Sequence, residues 1–183
     1  MMNLKDVADS IPGASLQGPA DLVFSEVSTD TRNIPTGSLF FALRGERFDA
    51  HDFIDQALKE GAVAVVSERA LGPNIPHVKV ENTRIALGAT AKAWRSRFVL
   101  PVITVTGSNG KTTVTQMLAT ILATASGEDY RLSTRGNLNN DIGLPMTIFR
   151  LRPHHQRAVL ELGMNHPGEI DYLAQIAQPT VAL

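Results

Sequence analysis

Residues 103–118 read ITVTGSNGKTTVTQML, an apolar strand running into a helix through a turn almost stripped of side chains. At Gly107, Ser108, Asn109 and Gly110 the backbone N–H groups are the main chemical features. The start of the following helix adds its own unpaired donors and a partial positive charge. A turn of this kind suits an anion, and a phosphate chain above all. Thr106 and Thr113 flank it, Lys111 would reach the terminal phosphates, and the Thr112 hydroxyl would bind Mg²⁺. The common phosphate-loop pattern GxxxxGK[ST] is not met, because position 105 is Val. The shorter TGxxGKT stands in its place, in the strand–turn–helix setting the mechanism requires. A plain glycine-rich turn would have no use for a lysine followed by two threonines.

Three further segments carry polar groups at strand ends. In AVLELGMNHPGEI (158–170), Glu161 interrupts the apolar strand 158–162 near its carboxyl end. An acid there should lie close to the phosphate loop and face Mg²⁺–nucleotide, since Mg²⁺ takes hard oxygen ligands. The alternative is a strand that ends on a solvated edge. His166 could orient a substrate phosphate or merely open a helix beside Pro167. In STRGNLNNDIGLP (133–145), Asn137, Asn139, Asn140 and Asp141 offer donors and acceptors to a phosphorylated substrate, although Asn and Asp are also ordinary loop residues. Near the start of the chain, Thr29, Asp30, Thr31 and Arg32 follow one strand. Gly45, Glu46, Arg47 and Phe48 follow another, placing an arginine beside an aromatic that could grip a base and a diphosphate. Composition alone reads this last pair of segments as solvated loops.

The elements that must position these groups fall into two sets. Up to about residue 98 the chain alternates short strands (22–28, 38–43, 62–66, 77–80) with helices over 51–60 and from 82 or 83 through Trp94. From residue 99 it continues strand 102–106, helix 111–125, strand 130–133, helix near 143–150, strand 158–162, helix 167–177 and a strand from Thr180. Strict alternation implies a mainly parallel sheet, whose ligands gather beyond the carboxyl ends of the strands. The fold class is therefore α/β: a small unit over 1–98, then over 99–183 the first part of a mainly parallel sheet. A doubly wound domain rarely stops in mid-strand, so PTVAL at the end reads as the N-terminal portion of something longer. Trp94 belongs to the core by its helical spacing. His77, His154 and His155 show no metal-ligand spacing and read as surface residues.

Composition narrows the function classes. Over 183 residues, 43% are apolar, 19% are charged, and the formal net charge of −1 gives no electrostatic case for non-specific nucleic-acid binding. With no cysteine there are no disulfides or thiolate metal sites, which fits a reducing compartment. The N-terminus lacks a signal-peptide pattern, and no apolar run approaches the roughly 20 residues of a membrane span. A soluble cytoplasmic protein is expected.

Taken in order, these segments resemble the Mur ligase family of peptidoglycan synthesis over essentially the whole chain. TGSNGKTT resembles the family's ATP loop, and STDTR with PTGSLFFALRGERFDAHDF is similar to its N-terminal uridine-nucleotide domain. GNLNNDIGLPMT with ELGMNHPGEI is similar to the branch that joins D-Ala-D-Ala to UDP-N-acetylmuramoyl-tripeptide. The resemblance implies residues 1–98 as the uridine-nucleotide domain and 99–183 as the start of a P-loop ATPase domain, with a C-terminal domain beyond. It implies ATP and Mg²⁺ as cofactors, an acyl phosphate intermediate and a monomer. Lys111 would hold the β- and γ-phosphates, and Thr112 and Glu161 would ligate the metal. Asn137, Asn139, Asn140 and Asp141 would line the acceptor and its metal, His166 would be a further substrate-binding residue, and residues 29–32 and 45–48 would seat the uridine. A carboxylated lysine and a metal-binding histidine are expected past residue 183, so this stretch alone is expected not to ligate. A folylpolyglutamate synthetase shares the loop but begins close to it, against roughly 100 residues here. A non-enzymatic nucleotide-binding module would explain the loop without the asparagine-rich segment.

Overall fold

The computed structural model describes residues 1–45 and 48–183, so Glu46 and Arg47 lie outside the described residues. The chain divides into two compact units, Met1–Thr90 and Ala91–Leu183.

The first unit opens with a helix that the sequence reading did not mark, α1 (Leu4–Asp9). Its start is closed reciprocally, Asp6 N–H donating to Asn3 Oδ1 at 2.8 Å and Asn3 N–H to Asp6 Oδ2 at 3.1 Å. Strands β1 (Ser15–Gln17), β2 (Val27–Ser28), β3 (Ser38–Phe41), β4 (Ala62–Ser67) and β5 (His77–Lys79) form a sheet in the order β1-β5-β4-β3-β2. All neighbours are parallel except β1 with β5. A 3₁₀ turn (Ala50–Phe53) leads into α2 (Ile54–Glu60), and α3 (Thr83–Arg95) follows β5. Phe40, Ala42, Ile54, Ala57 and Val65 make a core between α2 and the sheet, the burial that fixes which face α2 presents.

Two expectations change here. The strand expected over 22–28 shrinks to Val27–Ser28, because its first half pairs with the chain start instead: Leu4 N–H donates to Leu22 O and Phe24 N–H to Met2 O. His77 is buried at 2% exposure, not on the surface. Its Nδ1 donates to Ile75 O (2.9 Å) and its Nε2 accepts from Leu71 N–H (3.2 Å), so the ring replaces backbone partners for the turn before β5. His154 is exposed, as expected, and His155 is half-buried.

The turn after β3 is tied to the end of β4 by a second buried histidine. His51 donates from Nδ1 to Asp49 Oδ1 at 2.5 Å and accepts Glu68 N–H at Nε2 at 3.0 Å. Asp49 Oδ2 also takes Arg69 at 2.8 Å and Arg44 at 3.3 Å. Burial pushes the Asp49 carboxyl up, but the His51 backbone and ring donors and Arg44 outweigh it and hold it at about 2.

In the second unit, β6 (Val102–Val105), α4 (Lys111–Ser126), β7 (Arg131–Ser133), α5 (Gly143–Ile148), β8 (Arg157–Glu161), α6 (Glu169–Ala177) and β9 (Val181–Ala182) alternate as expected. The sheet is wholly parallel, in the order β7-β8-β6-β9. The chain steps one way from β6 to β7 and the other way afterwards. Right-handed crossovers therefore put α4 on one face and α5 and α6, which touch each other, on the opposite one. Val102, Val105, Leu132, Ala158, Val159 and Leu160 are buried, the near-continuous apolar pattern of a sheet covered on both faces.

The last turn of α3 belongs to this unit. Trp94 is in the core, packed edge-on against Phe98. Beside it Arg95, 5% exposed, donates to Ala177 O (3.0 Å), Gln178 O (3.2 Å) and Phe98 O (2.7 Å). It thereby satisfies carbonyls left open where α6 ends.

Two outcomes are expected. Arg95→Leu removes all three donors and should lower unfolding stability by about 3 kcal/mol in urea titration. Asp49 has a folded pKa below its unfolded one, so its contribution is complete above about pH 4 and lost as pH falls toward 2. The increment should be about 1 kcal/mol after allowance for solvent screening of the two arginines, and absent in the acid limb of the Asp49→Asn unfolding profile.

Candidate functional site

Strand register brings the second unit's polar groups together. β6 pairs with β8 so that Val105 lies opposite Glu161, the last residue of its strand. Thr106, the next residue after Val105, opens the glycine-rich loop. The loop and the acid therefore leave the same edge of the sheet from adjacent strands, at the carboxyl ends where ligands of parallel sheets bind.

Two glycines and one lysine shape the loop. Gly107 (φ 143°) and Gly110 (φ 78°) hold left-handed backbone that other residues rarely adopt. Gly110 is the N-cap of α4, so the helix starts at Lys111 with its first N–H groups turned toward the loop. Lys111 Nζ donates to Gly107 O at 2.7 Å, which keeps the ammonium group over the turn. Thr112 and Thr113 are exposed in the first turn of α4.

Glu161 is not on a solvated edge; it is 2% exposed. Its backbone N–H donates to Thr134 Oγ1 at 2.9 Å, extending the ladder one step past the end of β7. Its Oε1 accepts from Asn139 Nδ2 at 2.7 Å. Among the described residues no Lys, Arg or His forms an ion pair with it. A buried carboxylate with an amide as its side-chain partner is costly unless a cation compensates it.

The other residues of 133–145 take different places. Asn140 Oδ1 accepts from Ile142 N–H (3.2 Å) and Gly143 N–H (2.8 Å), capping the entry to α5. Asn137 is exposed, its carbonyl accepting from Asn139 N–H, and Asp141 is half-buried. His166 is exposed and sits in the turn before α6. Its Nδ1 is 3.0 Å from Glu169 Oε1, and the N–H groups of Asn165 and His166 donate to Glu169 Oε2. Those donors, Asn165 N–H foremost, hold the Glu169 carboxyl at about 2. This is the helix-entry arrangement.

In the first unit, β2 and β3 run parallel, so residues 29–32 and the described residues Arg44, Gly45, Phe48 and Asp49 follow the same sheet edge. Arg32 is folded onto Asp30, its Nη2 2.6 Å from Oδ2, and this pairing holds the Asp30 carboxyl at about 2. Thr29 and Thr31 are half-buried; Gly45 and Phe48 are exposed, and Phe48 stacks on Phe53 with ring centroids 5.0 Å apart. Thr134, Gly163, and the Asp49–His51 pair went unmarked in the sequence reading. The Asp-x-His spacing was the available signal for the pair, whereas Thr134 and Gly163 matter only through contacts with distant residues.

Among the described residues no three His, Cys, Asp or Glu side chains cluster to hold a metal, and no helix is long and apolar enough to cross a membrane.

Comparison with known proteins gives the same reading for both units. Residues 23–95 match the Mur ligase family, catalytic domain, and residues 105–183 match the Mur ligase middle domain. The chain is 46% identical, over 93% of its length, to UDP-N-acetylmuramoyl-tripeptide--D-alanyl-D-alanine ligase of Haemophilus influenzae. It is also 46% identical over its full length to the ligase of the same name from Escherichia coli. It covers 38% and 39% of those relatives, and so spans about two fifths of their length. Among solved structures, MurF from Acinetobacter baumannii superposes with a TM-score of 0.90 at 42% identity, over 98% of this chain and 40% of that one. MurF ligase from Thermotoga maritima in complex with ADP gives 0.77 at 34% identity, over 87% and 36%. With both of its units matched by the same family, the chain belongs to the Mur ligases.

Proposed function

We propose that this chain is part of an ATP-dependent ligase that joins D-Ala-D-Ala to UDP-N-acetylmuramoyl-tripeptide through an acyl phosphate. The observation that carries the reading is the register of β6 with β8, which sets the buried carboxylate of Glu161 beside the glycine-rich loop and Lys111. The relatives named for this reaction, and the Thermotoga maritima neighbour with ADP bound, support it.

In the proposed reaction an oxygen of the tripeptide's terminal carboxylate attacks the γ-phosphorus of ATP, and the bond to the ADP oxygen breaks. The amine of D-Ala-D-Ala then adds to the acyl carbon. The tetrahedral intermediate loses a proton and expels phosphate, leaving the amide. The loop N–H groups and Lys111 bind the nucleotide, and Lys111 moves from Gly107 O to the transferring phosphoryl group, stabilising its charge. The residues fit Mg²⁺: one buried carboxylate and the Thr112 hydroxyl are a hard-oxygen set that leaves the other positions to phosphates and water. When bound, Mg²⁺ would neutralise charge on the phosphates. We assign ATP binding to residues 99–183 and the uridine end to 1–98, with Thr29, Thr31 and the Phe48 ring on the shared edge of β2 and β3. The protein is proposed to act as a monomer.

Because the chain covers about two fifths of its relatives, activity is to be read in the full-length protein. Lys111→Ala should lower turnover on the order of a hundredfold or more; near-normal ligation would remove the loop from catalysis. Glu161→Gln should raise the Mg²⁺ concentration needed for half-maximal turnover while leaving UDP-substrate affinity within about twofold. A normal Mg²⁺ titration would exclude Glu161 as a ligand. Equilibrium binding of the UDP-muramoyl peptide, with none of a folate, separates this reading from a folate-directed ligase.

A further inference from the structure

Asn139 was expected to line the acceptor substrate, but its side chain faces inward to Glu161. We propose that Asn139 is a positioning residue: it fixes the Glu161 carboxylate so that Oε2 is presented to the metal, and Gly163 is the space that lets it do so. The proposal rests on the reading of Glu161 as a Mg²⁺ ligand.

The carboxylate plane of a glutamate turns about a soft terminal torsion. Glu161 is only 2% exposed, so little water reaches the group and its orientation depends largely on what donates to it. Asn139 Nδ2 is the side-chain donor found there, 2.7 Å from Oε1. A carboxylate only accepts, so the amide nitrogen must be the end that faces it. With Oε1 engaged, Oε2 is the oxygen left to meet a cation. This is the outer-shell arrangement that orients metal ligands elsewhere.

Asn139 is itself held from two directions by the exit of β8. Its carbonyl accepts Gly163 N–H at 2.8 Å, two residues beyond Glu161. Its amide also lies flat against the Gly163 Cα. A Cβ there would meet Asn139 Cγ at 2.9 Å, closer than real Cβ contacts come, and Oδ1 at 3.0 Å and Nδ2 at 3.1 Å, tighter than most. An alanine at 163 must therefore push the amide away. Gly163 needs no unusual backbone, since its φ lies outside the left-handed region. Its requirement is the close approach of Asn139. The segment after β7 is thus keyed to the acid at the end of β8, so the position of one sets the orientation of the other.

The test uses the full-length protein with Asn139→Ala, Gly163→Ala, the double variant and Glu161→Gln. Three quantities are measured: the Mg²⁺ dependence of turnover, Mn²⁺ affinity of the ADP-loaded protein by electron paramagnetic resonance, and UDP-tripeptide affinity. Asn139→Ala should weaken both metal readouts about tenfold or more, the usual cost of losing an outer-shell partner, with UDP-tripeptide affinity within about twofold. Gly163→Ala should do the same alone and add nothing to Asn139→Ala, because the displaced side chain is already gone. If Asn139→Ala fails to fold, Asn139→Ser, too short to reach Oε1, serves in its place. Normal metal readouts for Asn139→Ala beside impaired ones for Glu161→Gln would overturn the positioning role and leave the metal ligand standing. Additive losses in the double variant would overturn the keying to Gly163. Normal metal readouts for Glu161→Gln would overturn the reading beneath both.

Discussion

The pairing of β6 with β8 is the constraint on which the chemistry of the second unit depends. Val105 opposite Glu161 leaves each strand with one residue's choice of direction at the sheet edge. One continues into the glycine-rich loop and the other ends in a carboxylate. In a strand, successive side chains face opposite sides, so a slip of one residue would turn Glu161 to the other face of the sheet. Burial of Val102, Val105, Val159 and Leu160 resists such a slip, because it would disrupt the packing of both strands at once. Packing energy in the core thus fixes an electrostatic relationship at the rim.

The first unit uses a related device with different groups. Its edge segments after β2 and β3 are placed by parallel pairing, and the second is also fastened to the end of β4 through His51. The ring bridges a carboxylate and a backbone N–H, so its hydrogen-bonding capacity is filled without a net charge. Arg44 and Arg69 then gather on Asp49 from the solvent side. Closing a loop against the end of a neighbouring strand costs chain entropy, which is offset here by charge-assisted bonds to a single carboxylate.

Much of this was legible in the sequence where the signal is local. The loop TGSNGKTT shows its backbone-exposing turn, its lysine and its helix start within eight residues. The alternation from residue 99 onward gave the parallel sheet, with boundaries within a few residues. Features that depend on distant partners were not legible. Strand 22–28 was shortened because Leu22 and Phe24 found the chain start. His77 is buried because β5 lies between β1 and β4, where Gln17 and Val65 flank it. Asn139 and Asn140 are adjacent in sequence, yet one holds the site's carboxylate and the other caps a helix. Composition could not separate them, because the difference lies in where β8 passes. Gly163 gave no turn signal at all, since its role is room for a neighbour.

The central claim is that the phosphate loop and Glu161 serve transfer of a phosphoryl group to a carboxylate, ahead of amide formation. It is tested most directly by isotope transfer in the full-length protein. UDP-N-acetylmuramoyl-tripeptide labelled with ¹⁸O in its terminal carboxylate is incubated with ATP, Mg²⁺ and D-Ala-D-Ala, and the released phosphate is analysed by mass. An acyl phosphate requires one carboxylate oxygen to leave with phosphorus, so phosphate carrying one ¹⁸O per amide formed is the expected result. Unlabelled phosphate accompanying amide product would contradict it.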